Sequence, residues 1–262
     1  MKKLLFLILS VFFSVTQSAY AVDIVWMQVQ HREYANGKTL NQLGFGLTDA
    51  YGNYLGSGRR IRSVKLHSPA KKELALSKLK FASDREIYGT YNAKNSQWHY
   101  SDRWLFESWF SAEISDVLMP GIYWLKVTLT DGKTAERTFA FNRLVDLPVI
   151  DADSFQLNPD AHGNLIWTWK IPAELGQLSL VHKLRTRAAI DIFSAGKDVG
   201  YFSIIVPVHM GFVLVPQKAV KLINGKGDRF ELKVSIETRD KNNRTYSRAL
   251  VIERKLPSAA RK

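Results

Sequence analysis

The chain has 262 residues, a formal charge of +13 and no cysteine, so disulfides and thiolate metal sites are excluded and hydrophobic burial must hold the fold. Its 7 Trp, 10 Tyr and 14 Phe supply enough large apolar area for two cores of ordinary domain size. The basic residues are dispersed rather than gathered in an arm, which argues against nucleic acid and leaves acidic proteins, glycans or an anionic surface as electrostatic partners.

Residues 1–21 read as a signal peptide. Lys2 and Lys3 form the basic start, Leu4 to Val15 is a short apolar run, and Ala19-Tyr20-Ala21 has the small-x-small form of a cleavage site. The expected product is an exported protein of the periplasm or cell surface that begins at Val22.

Residues 22–147 read as a first β domain. Asp23 to Gln30 is a strand, Asn36-Gly37 a turn, Leu40 to Thr48 a strand and Asp49 to Gly58 a loop rich in Gly, Asn and Tyr. Ile61 to His67 alternates strictly until Ser68-Pro69 stops it, while Lys71 to Phe81 fits neither the helical nor the strand period cleanly. Arg103 to Ile114 reads as a strand with Phe110 on one face and Arg103 and Trp109 on the other. Pro120 to Phe141 is a hairpin about Asp131-Gly132, and its first strand puts Tyr123, Leu125, Val127 and Leu129 on one face. Trp124 and Lys126 fall on the opposite face.

Residues 148–256 read as a second β domain, followed by a basic tail at 257–262. Leu165 to Ile171 places Leu165, Trp167, Trp169 and Ile171 on a core face. Leu184 to Phe193 is a strand, and Tyr201 to Val215, interrupted by Pro207, reads as one or two edge strands. Phe230 to Arg239 alternates apolar with polar residues, and Thr245 to Ile252 is a closing strand. The expected fold class is all-β, with two tandem β-sandwich domains.

Leu118 to Tyr123 resembles the turn before the sixth strand of immunoglobulin-like domains, which would make Tyr123 a tyrosine corner. LIWTWKI at 165–171 together with Leu222 to Ile252 resembles a fibronectin type III domain, with Phe230 where that family usually has Tyr. The chain as a whole thus resembles bacterial exported proteins with tandem immunoglobulin-like and fibronectin type III-like sandwiches. The resemblance implies a fold and a compartment, and no activity.

No pair of histidines has metal spacing, and there is no HExxH, P-loop, nucleophile elbow or dinucleotide fingerprint. His99, Ser101 and Asp102 supply triad residue types, but neighbours on a strand alternate faces and would not converge. No enzyme and no cofactor are expected. Asp151, Asp153 and Asp160 at the joint are a weak candidate for calcium, with a solvated acidic linker the simpler reading. The candidate binding residues are Trp109 and Trp124 with Arg103 and Lys126, an outward aromatic patch with charged edges that would engage a protein or glycan of the cell envelope. The expected function is binding or scaffolding. The alternatives are a glycan-binding accessory module and a periplasmic pilus-type chaperone, whose grip on a carboxylate would need an Arg such as Arg32, although HREYANG does not resemble that motif.

Overall fold

The computed structural model describes residues 22–56, 60–100, 105–142, 144–247 and 250–258. In chain order the strands are β1 (Val22–Tyr34), β2 (Thr39–Asp49), β3 (Ile61–His67), β4 (Lys80–Asn92), β5 (Gln97–Tyr100), β6 (Leu105–Glu113), β7 (Gly121–Leu129) and β8 (Thr134–Phe141). They continue with β9 (Gln156–Pro159), β10 (Leu165–Thr168), helix α1 (Leu175–Val181), β11 (Leu184–Ser194), β12 (Lys197–Pro207) and β13 (Phe212–Val215). Helix α2 (Gln217–Lys226), β14 (Arg229–Thr238), β15 (Asn243–Tyr246) and β16 (Leu250–Ile252) complete the chain. The fold is all-β. The signal-peptide reading and Arg103 lie outside the described residues.

Two compact units share these strands. One holds the described parts of 1–29, 42–83 and 108–143; the other holds 30–41, 84–107 and 144–262. The division near residue 147 that the sequence implies is therefore incomplete, because two segments of the first stretch belong with the second unit. Long strands cause this: β1, β2, β4 and β6 each continue from one unit into the other.

In the first unit, the parts of β1, β2, β6 and β4 that fall there form one sheet and β3, β7 and β8 the other. Alternation decides what each strand buries. Leu43, Phe45 and Leu47 of β2, Phe110 of β6 and Tyr123, Leu125 and Val127 of β7 meet in one core. Phe45 and Phe110 are register partners and stack at 5.4 Å. The Asp131-Gly132 turn holds Gly132 at φ +87°, a left-handed conformation that glycine adopts without a Cβ clash. Lys71 to Phe81 is not helical. Its backbone is spent on neighbours instead: Leu74 N–H donates to Leu66 O at 2.8 Å and Leu76 bridges to Ile114.

The second unit packs a small sheet, β9-β10-β13, and α2 against β11, β12 and β14. Leu165, Trp167, Trp169, Ile190, Phe202, Ile204, Phe230 and Leu232 are among its core residues. α2 follows Pro216 and turns Ala219, Val220 and Ile223 inward, a spacing that belongs to a helix and that the strand-based reading passed over. β12 is not an edge strand: β11 pairs with one side and β4 with the other, and Pro207 is tolerated because it ends the strand. The closing strand divides into β15 and β16, both paired with β14.

Candidate functional site

The tryptophans proposed from the sequence do not form one patch. Trp109 lies next to inward-facing Phe110 on β6, and Trp124 next to inward-facing Tyr123 on β7. The two strands belong to opposite sheets around one core, so residues on their outer faces point apart. Both indoles are half-buried. Trp124 packs 4.9 Å from the His67 ring, and Lys126 sits 5.9 Å from its centroid while pairing with Glu136 at 2.8 Å.

The calcium candidate fails on geometry as well. Asp151 caps a short 3-10 turn by accepting from Asp153 N–H at 3.0 Å, and Asp160 accepts from the N–H groups of His162 and Asn164. The carboxylates of Asp151 and Asp160 are each engaged by their own turn. Among the described residues, no group of three His, Cys, Asp or Glu could hold a metal.

A different cluster stands out in the second unit. β14 sends Phe230, Leu232, Val234 and Ile236 into the core, so alternation puts Ser235 and Glu237 on its other face. β11 buries Ala188 and Ile190, which puts Arg185 and Arg187 on that same opposite face. Register then aligns residues from four strands. Arg32 on β1 is opposite Arg244 on β15, Arg244 opposite Glu237 on β14, and Glu237 opposite Arg185 on β11. The adjacent row runs Tyr34, Tyr246, Ser235 and Arg187.

The contacts within these rows are charge-assisted. Glu237 Oε1 accepts from Arg185 Nε at 2.7 Å and from Arg187 Nε at 3.4 Å, and Arg244 Nη2 pairs with Glu237 Oε2. Arg187 Nη1 donates to Ser203 Oγ at 3.0 Å, Arg244 Nη1 to the Tyr246 hydroxyl at 2.7 Å, and Arg32 Nε to Gln30 Oε1 at 2.8 Å. Tyr34 and Tyr246 stack at 5.3 Å, with the Arg32 and Arg244 guanidiniums 5.6 and 5.5 Å from the Tyr246 ring.

The cluster is largely withdrawn from water. The Glu237 side chain is 0% exposed, and those of Arg187, Arg244 and Arg185 are 10, 11 and 19% exposed. Burial alone would raise the Glu237 pKa, but Arg244, Arg187 and Arg185 outweigh it and hold the carboxyl at about 2. Burial, reinforced by the charge of Arg187, pushes the Lys241 ammonium below its usual range. Among the described residues the two rows hold four guanidiniums, those of Arg32, Arg244, Arg185 and Arg187, and one carboxylate, that of Glu237. Among the described residues, the donors Arg185 Nη2 and Arg244 Nε and the acceptor Glu237 Oε2 are buried without a hydrogen-bond partner. Buried polar atoms left unpaired are costly, and here the guanidiniums outnumber the one carboxylate among the described residues.

Sequence reasoning noted Arg32 but missed Arg185, Arg187, Glu237 and Arg244. A signal was present: Arg32-Glu33-Tyr34 and Arg244-Thr245-Tyr246 share an R-x-Y spacing, and Arg185-Thr186-Arg187 is R-x-R. On a strand each such pair lands on one face.

No family model matches this chain, and no curated protein matches it either. Among solved structures it is similar to the FN1-FN3 domains of chicken CNTN1, at 10% identity and a TM-score of 0.31, over 90% of this chain and 68% of that one. Dimeric latent PorU from Porphyromonas gingivalis aligns at 12% identity and a TM-score of 0.28, over 93% of this chain and 21% of that one. Tp47, the 47-kilodalton lipoprotein of Treponema pallidum, aligns at 11% identity and a TM-score of 0.29, over 87% of this chain and 50% of that one. At these scores the likeness says nothing about function.

Proposed function

We propose that this chain is an exported, non-enzymatic binding or scaffolding protein of the cell envelope, and that it recognises an anionic group on its partner through the arginine rows of the second unit. One observation carries this reading: among the described residues, four guanidiniums, those of Arg32, Arg244, Arg185 and Arg187, are gathered in two adjacent rows with the single buried carboxylate of Glu237. Such a site binds an anion by supplying donors already held in place. The long-range positive field of a chain at +13 would speed the encounter without setting its specificity.

The test compares retention on an anionic matrix for the native protein, Arg185→Gln and Lys94→Gln. Lys94 is an exposed residue in the turn between β4 and β5, so its substitution removes the same charge away from the rows. Loss confined to Arg185→Gln supports the site; equal loss in both variants reduces the binding to unspecific surface charge. N-terminal sequencing of protein recovered from the envelope should begin at Val22, and an intact Met1 on cytoplasmic protein would refute export.

A further inference from the structure

We propose that the last turn of α1 and the start of β11 form a docking surface for an anionic lipid bilayer. Leu180 and Val181 enter the bilayer interface, and Lys183 and Arg239 meet its headgroups. This goes beyond the reading of the arginine rows, because it concerns exposed side chains outside them.

The apolar part comes from where α1 stops. Leu175 is buried and Leu178 packs against the core, so that face of the helix is used inward. His182 N–H donates to Leu178 O at 2.9 Å and ends the helix, and Leu180 and Val181 in the last turn are 86 and 71% exposed. Among the described residues of the second unit no large apolar side chain is more exposed than these two. Single exposed aliphatic residues are ordinary on a protein surface, whereas a contiguous exposed patch marks an interaction site.

The charged part comes from strand register. Arg239 N–H donates to Lys183 O at 2.9 Å, one step beyond the last register pair of β11 with β14, and both residues are exposed. Asp240, next to Arg239, is engaged by the Thr238 hydroxyl and by Asn242 N–H, and Glu174 stands at the opposite end of α1. Two cations therefore adjoin the exposed aliphatic pair.

Size decides the occupant. Two protruding side chains fall far short of the roughly 800 Å² per partner that a stable protein complex buries. A bilayer needs no complementary relief: aliphatic side chains partition into its interface, and basic residues beside them are drawn to anionic headgroups. The chain's charge of +13 acts in the same direction.

Co-sedimentation of the mature chain beginning at Val22 with phosphatidylcholine vesicles, with and without phosphatidylglycerol, tests this. Binding is expected only with phosphatidylglycerol and should fall as salt is raised. Leu180→Ser and Val181→Ser should each weaken it about tenfold, the loss of one aliphatic side chain, and Lys183→Gln or Arg239→Gln about fivefold. Val251→Ser removes an exposed aliphatic side chain from β16 and should change nothing. All three serine variants replace exposed residues, so far-UV circular dichroism should stay native. Failure of the native chain to bind phosphatidylglycerol vesicles overturns the proposal. Equal binding by the native chain, Leu180→Ser and Val181→Ser also overturns it, reducing the attraction to charge alone. Light scattering that finds a native dimer and a Leu180→Ser monomer gives the exposed pair to a second copy instead. Loss of vesicle binding in Arg185→Gln but not in Leu180→Ser would assign the lipid to the arginine rows.

Discussion

Arg244 and Glu237 face each other across β15 and β14, and the guanidinium of one closes on the fully buried carboxylate of the other. Removing one partner of such a pair leaves the other charged, buried and uncompensated, which typically costs about 3–5 kcal/mol.

That pairing fixes a pH dependence. The Glu237 pKa falls from an ordinary 4.5 to about 2 in the folded protein. A depressed folded value means that the stabilisation is fully present above about pH 4.5 and is lost as pH falls towards 2. Urea denaturation of the native protein and Glu237→Gln should show a constant gap above about pH 5 and a shrinking one below it. A gap independent of pH down to 2 would show that the arginines do not hold this carboxylate ionised.

Tyr123→Phe tests the tyrosine corner. The Tyr123 hydroxyl donates to Met119 O at 2.9 Å and accepts from Met119 N–H at 3.0 Å, while its ring is fully buried. Phenylalanine keeps the ring and loses both bonds, so the expected cost is about 1 kcal/mol in denaturant unfolding, with the fold retained. A variant as stable as the native protein would mean that water replaces the hydroxyl without loss.

Trp169→Ala tests the second core. Trp169 is 5% exposed and meets Trp167 edge-on at 5.9 Å, inside a core distinct from that of Tyr123. Truncation should cost about 3–5 kcal/mol. Thermal unfolding followed by tryptophan fluorescence would report it, and an unchanged midpoint would place the indole outside the core.

Trp109→Ala and Trp124→Ala separate the two ideas about where this protein binds. Both indoles sit half-buried on outward faces of opposite sheets and belong to the first unit, whereas the arginine rows belong to the second. Each variant should fold and should be retained on the anionic matrix as strongly as the native protein. Should either abolish that binding while Arg185→Gln does not, the aromatic residues and not the arginines would carry recognition.

Much of the fold is legible locally. Alternation in 121–129 gives the buried face of β7, Asp131-Gly132 gives its turn, and Tyr123 after Pro120-Gly121 gives the corner hydrogen bond. Leu165 and Trp167 on β10, with Trp169 just after it, likewise show a core face without any tertiary information. The binding residues are less legible because the same period names a face and is silent about what lies beside it. Alternation gives Trp109 and Trp124 each an outward face, and only the pairing of β6 with β2 and of β7 with β3 and β8 shows that these faces diverge.

The sequence by itself determined that this is an all-β chain with two apolar cores and no cysteine chemistry, because turn residues and period-two burial act over a few neighbouring positions. Tertiary structure decided which strands became neighbours. Arg32 and Arg244 lie far apart in sequence, and the parallel pairing of β1 with β15 brings them into one row with Glu237 and Arg185. Strand pairing joins backbone groups whose hydrogen bonds are alike in every register, so it is the burial of the opposite face that selects the partner, and the charges on this face follow.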